Sequence, residues 1–184
     1  IGKHNVQNCL ASISLSKYLN ISYSQIKKSL KTFQGVKRRF SVLLNTGKNL
    51  IIDDYAHHPS EIKVTLDSLK LISRKRIIVI VEPHRYSRLS SLLENFIDSL
   101  QYADSIYLLP IHSAGETNKR EINNEIFCKR LKKHYPEKQV QKVSTQDHFF
   151  NILKNNVNPG DNIIFLGAGK SSSIAKEFCR YLEF

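Results

Sequence analysis

The sequence contains no methionine, no tryptophan and no acidic residue before Asp53. It also lacks long apolar runs, since the longest uncharged stretches, Ile77–Val81 and Ile163–Leu166, are far shorter than the ~20 residues of a membrane span. No signal peptide pattern stands at the front. These absences exclude the membrane and secreted classes, and we expect a cytoplasmic protein. Because the chain starts at Ile1 and has no methionine, we also expect a piece of a longer polypeptide.

Cysteine is scarce as well. Cys9, Cys128 and Cys179 are widely separated and have no histidine nearby at the spacing of metal ligands. A disulfide framework and a zinc site are therefore not predicted, and the three thiols are interpreted as reduced and mostly structural. With 41% hydrophobic and 24% charged residues over 184 positions, the composition is that of one folded domain plus, at most, part of another.

The charge is strongly basic and unevenly distributed. Lysine and arginine number 28 against 16 acidic residues, a net charge of +12, and nine of these positive charges precede Asp53. Such an excess favours anionic partners such as nucleotide phosphates or nucleic acid, but a solvated face or a face toward an acidic neighbour has the same composition. No zinc finger, RNA-recognition aromatic pattern or basic heptad region is present. A basic nucleic-acid-binding module is the alternative from a different class, and we do not expect nucleic acid as the partner.

The spacing of apolar residues predicts two helices followed by an α/β domain. Helices are expected over Val6–Leu19, with Asn5 as a possible cap, and over Tyr23–Phe33, before Gly35. A hairpin around Asn45-Thr46-Gly47 follows, and the domain boundary is expected near Val36–Phe40. Short apolar strands, among them Leu50–Ile52 and Ile77–Val81, then alternate with helical stretches, including one over Ser90–Gln101. This alternation predicts a Rossmann-like, mainly parallel sheet with helices on both faces.

Polar clusters follow four of the predicted strands. Ligands of open α/β sheets bind beyond the carboxyl ends of the strands, so these clusters are the candidate site. They are Asp53–Pro59, Glu82–Arg88, Pro110–Glu116 and Gly167–Lys170.

The first cluster allows two interpretations. Asp53 and Asp54, with His57 and His58, have the chemistry to ligate a cation, orient a ribose hydroxyl or act as a general-base pair. The alternative is structural: acidic residues near the positive end of a helix that opens at Pro59.

In the second cluster, Arg85 and Arg88 are three residues apart and can share one side of a turn. The planar guanidinium group binds carboxylate or phosphate with two parallel hydrogen bonds, so a pair of them predicts an anion-binding site. Surface salt bridges are the structural alternative.

Three further features remain open on the residues alone. The turn Gly167–Lys170 offers backbone N–H groups for an anion, or is a plain structural turn; it lacks the spacing of a Walker A loop. His4 and Asn5 either cap a helix or reach a purine edge. Arg38 and Arg39, at the expected boundary, either close over phosphates or pair with an acidic partner.

Five ordered segments together resemble the ATP-dependent Mur ligases, and most closely the members that add L-alanine to UDP-N-acetylmuramate. The segments are Gly2–Val6, Gly35–Phe40, Asp53–Pro59 (Asp-Asp-Tyr-Ala-His-His-Pro), Pro83–Arg88 (Pro-His-Arg-Tyr-Ser-Arg) and Ala114–Glu116.

The resemblance implies a three-domain enzyme of which this chain is the end. Residues 1–37 would be the C-terminal helices of the central ATPase domain, and residues 38–184 the Mur ligase C-terminal domain. The phosphate-binding loop and the metal-binding glutamate and histidine of the family would lie upstream, in the missing N-terminal and central domains, so we expect this part alone to be inactive.

The implied reaction uses ATP and Mg²⁺ to make an acyl phosphate of the substrate carboxylate, which the amine of L-alanine then attacks in peptidoglycan precursor synthesis. No metal ligand is expected within this chain. The implied site residues are His4, Asn5, Arg38 and Asp54 for ATP, Tyr55 and His57 between nucleotide and amino acid, and His84, Arg85 and Arg88 for L-alanine.

Two positions depart from the family pattern. Glu82 stands where the family commonly has glutamine, and Lys170 where it has an acidic residue after Gly-Ala-Gly. The related ligase that recycles murein tripeptide also has a Glu-Pro start at the first of these, but it lacks the continuous His-Arg-Tyr-Ser-Arg, so it is the second candidate.

Overall fold

The computed structural model describes residues 3–119, 121–143 and 146–183, without the side chains of 3, 4, 146, 147 and 183. The chain divides into two compact units, Ile1–Val36 and Lys37–Phe184. In the described ranges, no helix is both long and apolar enough to cross a membrane. All three cysteines lie in these ranges and none forms a disulfide.

The first unit is a pair of helices, as the apolar spacing predicted. α1 spans Lys3–Tyr18 and α2 spans Tyr23–Thr32. Ser22 caps α2: its hydroxyl accepts the N–H of Gln25, and the Gln25 side chain accepts the N–H of Ser22, which satisfies two amides that the helix cannot pair. The expected cap at Asn5 is wrong, because α1 already begins at Lys3.

The second unit is built on one six-stranded sheet with the strand order β1-β2-β6-β3-β4-β5. β1 is antiparallel to β2, and every other neighbouring pair is parallel. The predicted mainly parallel sheet is thereby confirmed. The strands are β1 (Ser41–Asn45), β2 (Leu50–Asp54), β3 (Ile77–Val81), β4 (Ser105–Leu108), β5 (Gln139–Lys142) and β6 (Asn162–Leu166).

Helices cover both faces of this sheet, as expected. Val79 and Val81 of β3 belong to a core shared with the helices between β2 and β5, whereas Ile78 and Ile80 point into a second core formed with the last two helices. This alternation follows from the period of two in a strand, and it makes β3 fully buried. The helices are α3 (Pro59–Ile72), α4 (Tyr86–Ser91), α5 (Leu93–Ser99), α6 (Asn124–His134), α7 (Gln146–Asn156) and α8 (Ser171–Glu183).

The helix expected over Ser90–Gln101 is wrong in its bounds, because two short helices occupy this region. α4 starts four residues earlier, and the chain bends at Leu92, which has φ −120° and ψ 25°, before α5 begins. The early start places Arg88 inside a helix and Arg85 directly before it.

The strand order brings three polar loops together. β6 lies between β2 and β3, so Asp54 pairs with Leu166 on one side and Val81 pairs with Leu166 on the other. The chain leaves β3 toward one face of the sheet and leaves β6 toward the other, which opens the crevice where α/β proteins bind ligands. The residues after β2, β3 and β6 therefore line one crevice at the carboxyl edge.

Candidate functional site

Asp54 binds two backbone segments together at this carboxyl edge of the sheet. One of its carboxylate oxygens accepts the N–H of Phe40 and the other accepts the N–H of Ala56, each at 2.7 Å. Burial raises the pKa of Asp54 above its usual value, although these two bonds and the charge of Arg39 act in the opposite direction. The carboxylate thus ties the start of the hairpin to the loop after β2. Its role toward a ribose stays a prediction.

The loop after β2 ends in a well-capped helix. His58 is the N-cap of α3, and Glu61 accepts the N–H groups of His57 and His58 at 3.0 and 3.1 Å. Burial alone would raise the pKa of Glu61, but these donors, with the nearby His57 and Arg39 side chains, lower it. Pro59 opens α3, as the structural alternative for this cluster had it, and Asp53 and Asp54 are the last two residues of β2.

A row of aromatic rings and a guanidinium group crosses the carboxyl edge. The guanidinium carbon of Arg38 lies 4.7 Å from the ring centre of Tyr55, and the Tyr55 and His57 rings are 5.1 Å apart. His57 is 5.0 Å from His84, which stacks on His112 at 5.1 Å. The segment before β1 and the loops after β2, β3 and β4 therefore contribute side chains to one continuous surface.

His84 is the most electrostatically perturbed member of this row. Burial, then the surrounding His57, Arg88, His112 and Arg85, lower its pKa from 6.5 to about 4. The ring is accordingly neutral near pH 7, so its Nδ1 can accept the N–H of Arg88 Nη1, 3.4 Å away. A neutral imidazole here orients a guanidinium group without competing with it for an anion.

The two arginines after β3 differ in their exposure to solvent. Arg85 is exposed and has a left-handed backbone with φ 72°, which its N–H bond of 2.8 Å to the carbonyl of His112 maintains. Arg88 is partly buried beside His84. Glu116 accepts both the N–H of Ser87, at 3.0 Å, and its hydroxyl, at 2.6 Å, and so fixes the start of α4.

Arg38 is held from the other side by the loop after β6. Its Nη2 donates to the carbonyl of Gly167 at 2.7 Å, and its Nε lies 4.0 Å from Asp53. Asp53 is 1% exposed and accepts the hydroxyl of Ser172 at 2.6 Å. The Nε of Arg38 and the Oδ1 of Asp53 are both buried without a hydrogen-bond partner.

The Gly167–Lys170 turn does hold an anion, and the anion is the protein's own Glu82. The Glu82 carboxylate is 4% exposed and accepts three backbone N–H groups, from Gly169 and Lys170 at 2.9 Å and from Ser171 at 3.2 Å. A Cβ at Gly167 or at Gly169 would lie 2.7 Å from Glu82 atoms, so both glycines are needed for this approach. Neither interpretation of the turn anticipated an internal ligand.

A cavity of about 340 Å³ adjoins this turn. Its walls are mostly apolar, and its polar members include Glu82, His112 and Lys170. The volume is at the lower end of the range of small-molecule sites.

Five of the candidate residues therefore form this row, and Asp54 and Arg85 are the chain neighbours of Tyr55 and His84. The adjacent set is Arg38, Tyr55, His57, His84 and Arg88. Asn5 lies in α1 of the first unit, and the side chain of His4 is outside the described residues. Sequence reasoning missed the contributions of His112 and Glu82; the presence of both in loops after neighbouring parallel strands was the available signal.

In residues 3–119, 121–143 and 146–183, no three His, Cys, Asp or Glu side chains are grouped as a metal ion requires.

Fold and site together define a Rossmann-like α/β domain with a cationic, histidine-rich carboxyl edge. Residues 38–169 match the family described as "Mur ligase, glutamate ligase domain", which is well over half of the chain, and the protein belongs to this family.

Curated relatives agree with this assignment. The chain is 36% identical over 183 residues to the UDP-N-acetylmuramate–L-alanine ligase of Gloeobacter violaceus, covering 100% of this chain and 39% of that protein. It is 37% identical over 179 residues to the enzyme of the same name from Rickettsia bellii, covering 96% and 37%. The chain spans about two fifths of the length of these relatives.

Solved structures share the fold. The UDP-N-acetylmuramate–alanine ligase of Thermotoga maritima superimposes with a TM-score of 0.79 at 28% identity, over 100% of this chain and 38% of that one. A MurF ligase from Thermotoga maritima, solved in complex with ADP, gives a TM-score of 0.71 at 19% identity, over 100% and 39%. The second likeness concerns the fold alone.

Proposed function

We propose that the chain is the C-terminal part of an ATP-dependent ligase that joins L-alanine to UDP-N-acetylmuramate in peptidoglycan precursor synthesis. The relatives named for this reaction support the substrate assignment. The observation that carries the proposal is the continuous row from Arg38 through Tyr55, His57 and His84 to Arg88, which offers cationic groups at both ends of one edge.

In the proposed reaction, a carboxylate oxygen of the UDP-sugar attacks the γ-phosphorus of ATP, and ADP leaves. The amine of L-alanine then attacks the acyl carbon of the resulting acyl phosphate, the C–O bond to phosphate breaks, and the amine loses a proton. Neither step needs a protein nucleophile, so the protein contributes by positioning and by neutralising charge.

At one end of the row, Arg38 would contact the phosphates or ribose of ATP. Its guanidinium group is anchored on the Tyr55 ring and on the carbonyl of Gly167, while its buried Nε retains an unused donor. Asp54 would face the ribose, and His4 and Asn5 the adenine.

At the other end, His84, Arg85 and Arg88 would hold L-alanine. The lowered pKa of His84 keeps its ring neutral, so Nδ1 orients Arg88, whose other N–H groups stay available for the amino-acid carboxylate. Tyr55 and His57 lie between the two ends and would line the reaction space.

The remaining assignments extend this proposal to the whole polypeptide. Residues 1–37 would be the C-terminal helices of the central ATPase domain, and residues 38–184 would form the C-terminal domain. The whole enzyme would be cytoplasmic. Mg²⁺ would accompany ATP in the whole enzyme. The chain alone is expected to be inactive.

The test is steady-state kinetics on the full-length ligase with Arg88→Ala and Arg85→Ala. Loss of a charge-assisted hydrogen bond to the substrate should raise the KM for L-alanine by roughly 10-fold to 100-fold, with a smaller change in the KM for ATP. Arg130→Ala, at an exposed arginine paired with Glu94, is the control and should behave as wild type. Wild-type KM and kcat in both site variants would contradict the carboxylate assignment.

A further inference from the structure

We propose that Glu82 is a positioning residue for the nucleotide end of the site, where its carboxylate holds the loop whose carbonyl fixes Arg38. Only the kinetic part of the inference rests on the proposed ligase function. The contacts themselves belong to the 184-residue chain and can be tested in it.

The first step is that Glu82 fills the place of a ligand anion. α8 is 13 residues long, and the first N–H groups of such a helix have no partner within it. Here Lys170 and Ser171 donate to Glu82, together with Gly169 from the preceding turn. The crevice between β3 and β6, where a bound phosphate would lie in many α/β proteins, is occupied by a side chain from the end of β3.

The second step is that this contact leaves the turn little freedom. The space that a Cβ would need at Gly167 is taken by the Cβ and Oε2 of Glu82, at 2.7 and 2.8 Å. Gly167 N–H also donates to the carbonyl of Asp54 at 3.1 Å. Gly167 is thereby held between β2 and the Glu82 side chain, and its carbonyl direction is set.

The third step connects the turn to Arg38. In the described part of the chain, Nη2 of Arg38 donates to the carbonyl of Gly167 at 2.7 Å. The Arg38 backbone is in the left-handed region with φ 59°, and its carbonyl accepts the N–H of Tyr55 at 2.8 Å. Loss of Glu82 would release the turn, and with it one of the three contacts of the guanidinium group, the others being the Tyr55 ring and Asp53.

Two substitutions of Glu82 remove its hydrogen bonds to the turn to different extents. Glu82→Ala leaves three amides without an acceptor. Glu82→Gln keeps one oxygen, which can serve two of the three N–H groups, but places an NH₂ group opposite the third. Asp161→Asn is the matched control, because Asp161 is also a 4% exposed carboxylate that accepts a backbone N–H, from Asn158 at 2.8 Å, but at the opposite edge of the sheet.

The first measurement is the Arg38 side-chain N–H resonances of the 184-residue chain, by ¹⁵N-correlated NMR. Glu82→Ala should shift and broaden the Arg38 Nε–H signal, Glu82→Gln should shift it less, and Asp161→Asn should leave it in place. Sodium formate, compared with sodium chloride at equal ionic strength, should move the signal of Glu82→Ala back toward its wild-type position. Unchanged Arg38 signals in both Glu82 variants would overturn the proposal.

The second measurement is kinetic, in the full-length ligase. Displacement of Arg38 by about 1 Å should lower kcat/KM for ATP by roughly 10-fold to 100-fold in Glu82→Ala, with Glu82→Gln in between. A general loss of stability would affect Asp161→Asn equally, so equal losses in the two carboxylate variants overturn the positioning role. If Glu82→Ala does not fold, Glu82→Gln alone carries both measurements. Absence of ligase activity in the wild type would instead count against the proposed function and leave the NMR result standing.

Discussion

Protonation of His84 is the perturbation whose magnitude follows most directly from the structure. Burial of the ring, followed by the nearby His57, Arg88, His112 and Arg85, lowers its pKa from 6.5 to about 4. Between these two values, the unfolded chain binds a proton that the folded chain does not bind. The free energy of unfolding must therefore fall as the pH is lowered from 6.5 toward 4, and His84 has no such effect above pH 6.5.

The size of the effect can be bounded. A change from 6.5 to about 4 corresponds to at most ~3.4 kcal/mol, because one pKa unit is about 1.36 kcal/mol. The ring is partly exposed, so solvent screening reduces this to roughly 1–2 kcal/mol.

The assay is urea unfolding of wild type and His84→Gln at a series of pH values from 7.5 to 4.5. Glutamine does not titrate, so the variant should gain stability relative to wild type by roughly 1–2 kcal/mol as the pH falls through this range. The imidazole signals of His84, followed by NMR, report its pKa directly.

Two results would refute the reasoning. A His84 imidazole that titrates near pH 6.5 would show that burial and the surrounding cations do not act on it as the geometry requires. A His84→Gln variant whose stability changes with pH in parallel with wild type would show that the ring does not link folding to protonation.

In the full-length ligase, protonation of His84 should raise the KM for L-alanine at acid pH, since His84⁺ would repel Arg88.

Further predictions concern the stability of the fold and the start of α4. Asp54→Ala should lower the free energy of unfolding by about 1–3 kcal/mol for each of the two backbone amides, of Phe40 and Ala56, that it leaves unpaired; an unchanged urea midpoint would contradict this role. Phe178→Ala, at a fully buried ring of α8, should cost about 3–5 kcal/mol in the same assay, and a loss below about 1 kcal/mol would mean that the second core is not packed as described. Glu116→Ala should raise the KM for L-alanine in the full-length ligase without changing the KM for ATP, because Glu116 holds the start of α4; equal changes in both would argue against that assignment.

Local patterns were sufficient for the order and type of the elements, except that one predicted helix is the pair α4 and α5. The five apolar residues Ile77–Val81 were predicted as a strand and form β3 with those bounds. Such a run is continuous because both faces of a parallel strand are covered, and this signal is contained in the residues themselves. Where local signals competed, prediction failed: Asp53 and Asp54 were expected after β2, but their pairing with Phe165 and Leu166 of β6 extends the strand through them.

The candidate site was predictable in part for the same reason. Loops that follow parallel strands meet at one edge, so the cluster of His57, His84 and Arg88 could be expected from the strand pattern alone. The ring-to-ring contacts from Tyr55 to His112 could not be expected, because they depend on which strands are neighbours.

By itself, the sequence determined the α/β class, the chain positions of the polar loops and the residue types available for binding anions, because periodicity and turn chemistry act over a few neighbouring residues. Only the tertiary structure decided that Glu82 fills the turn after β6, since these partners are 87 residues apart. Their meeting depends on the insertion of β6 between β2 and β3, which is a property of the whole sheet and of no local segment.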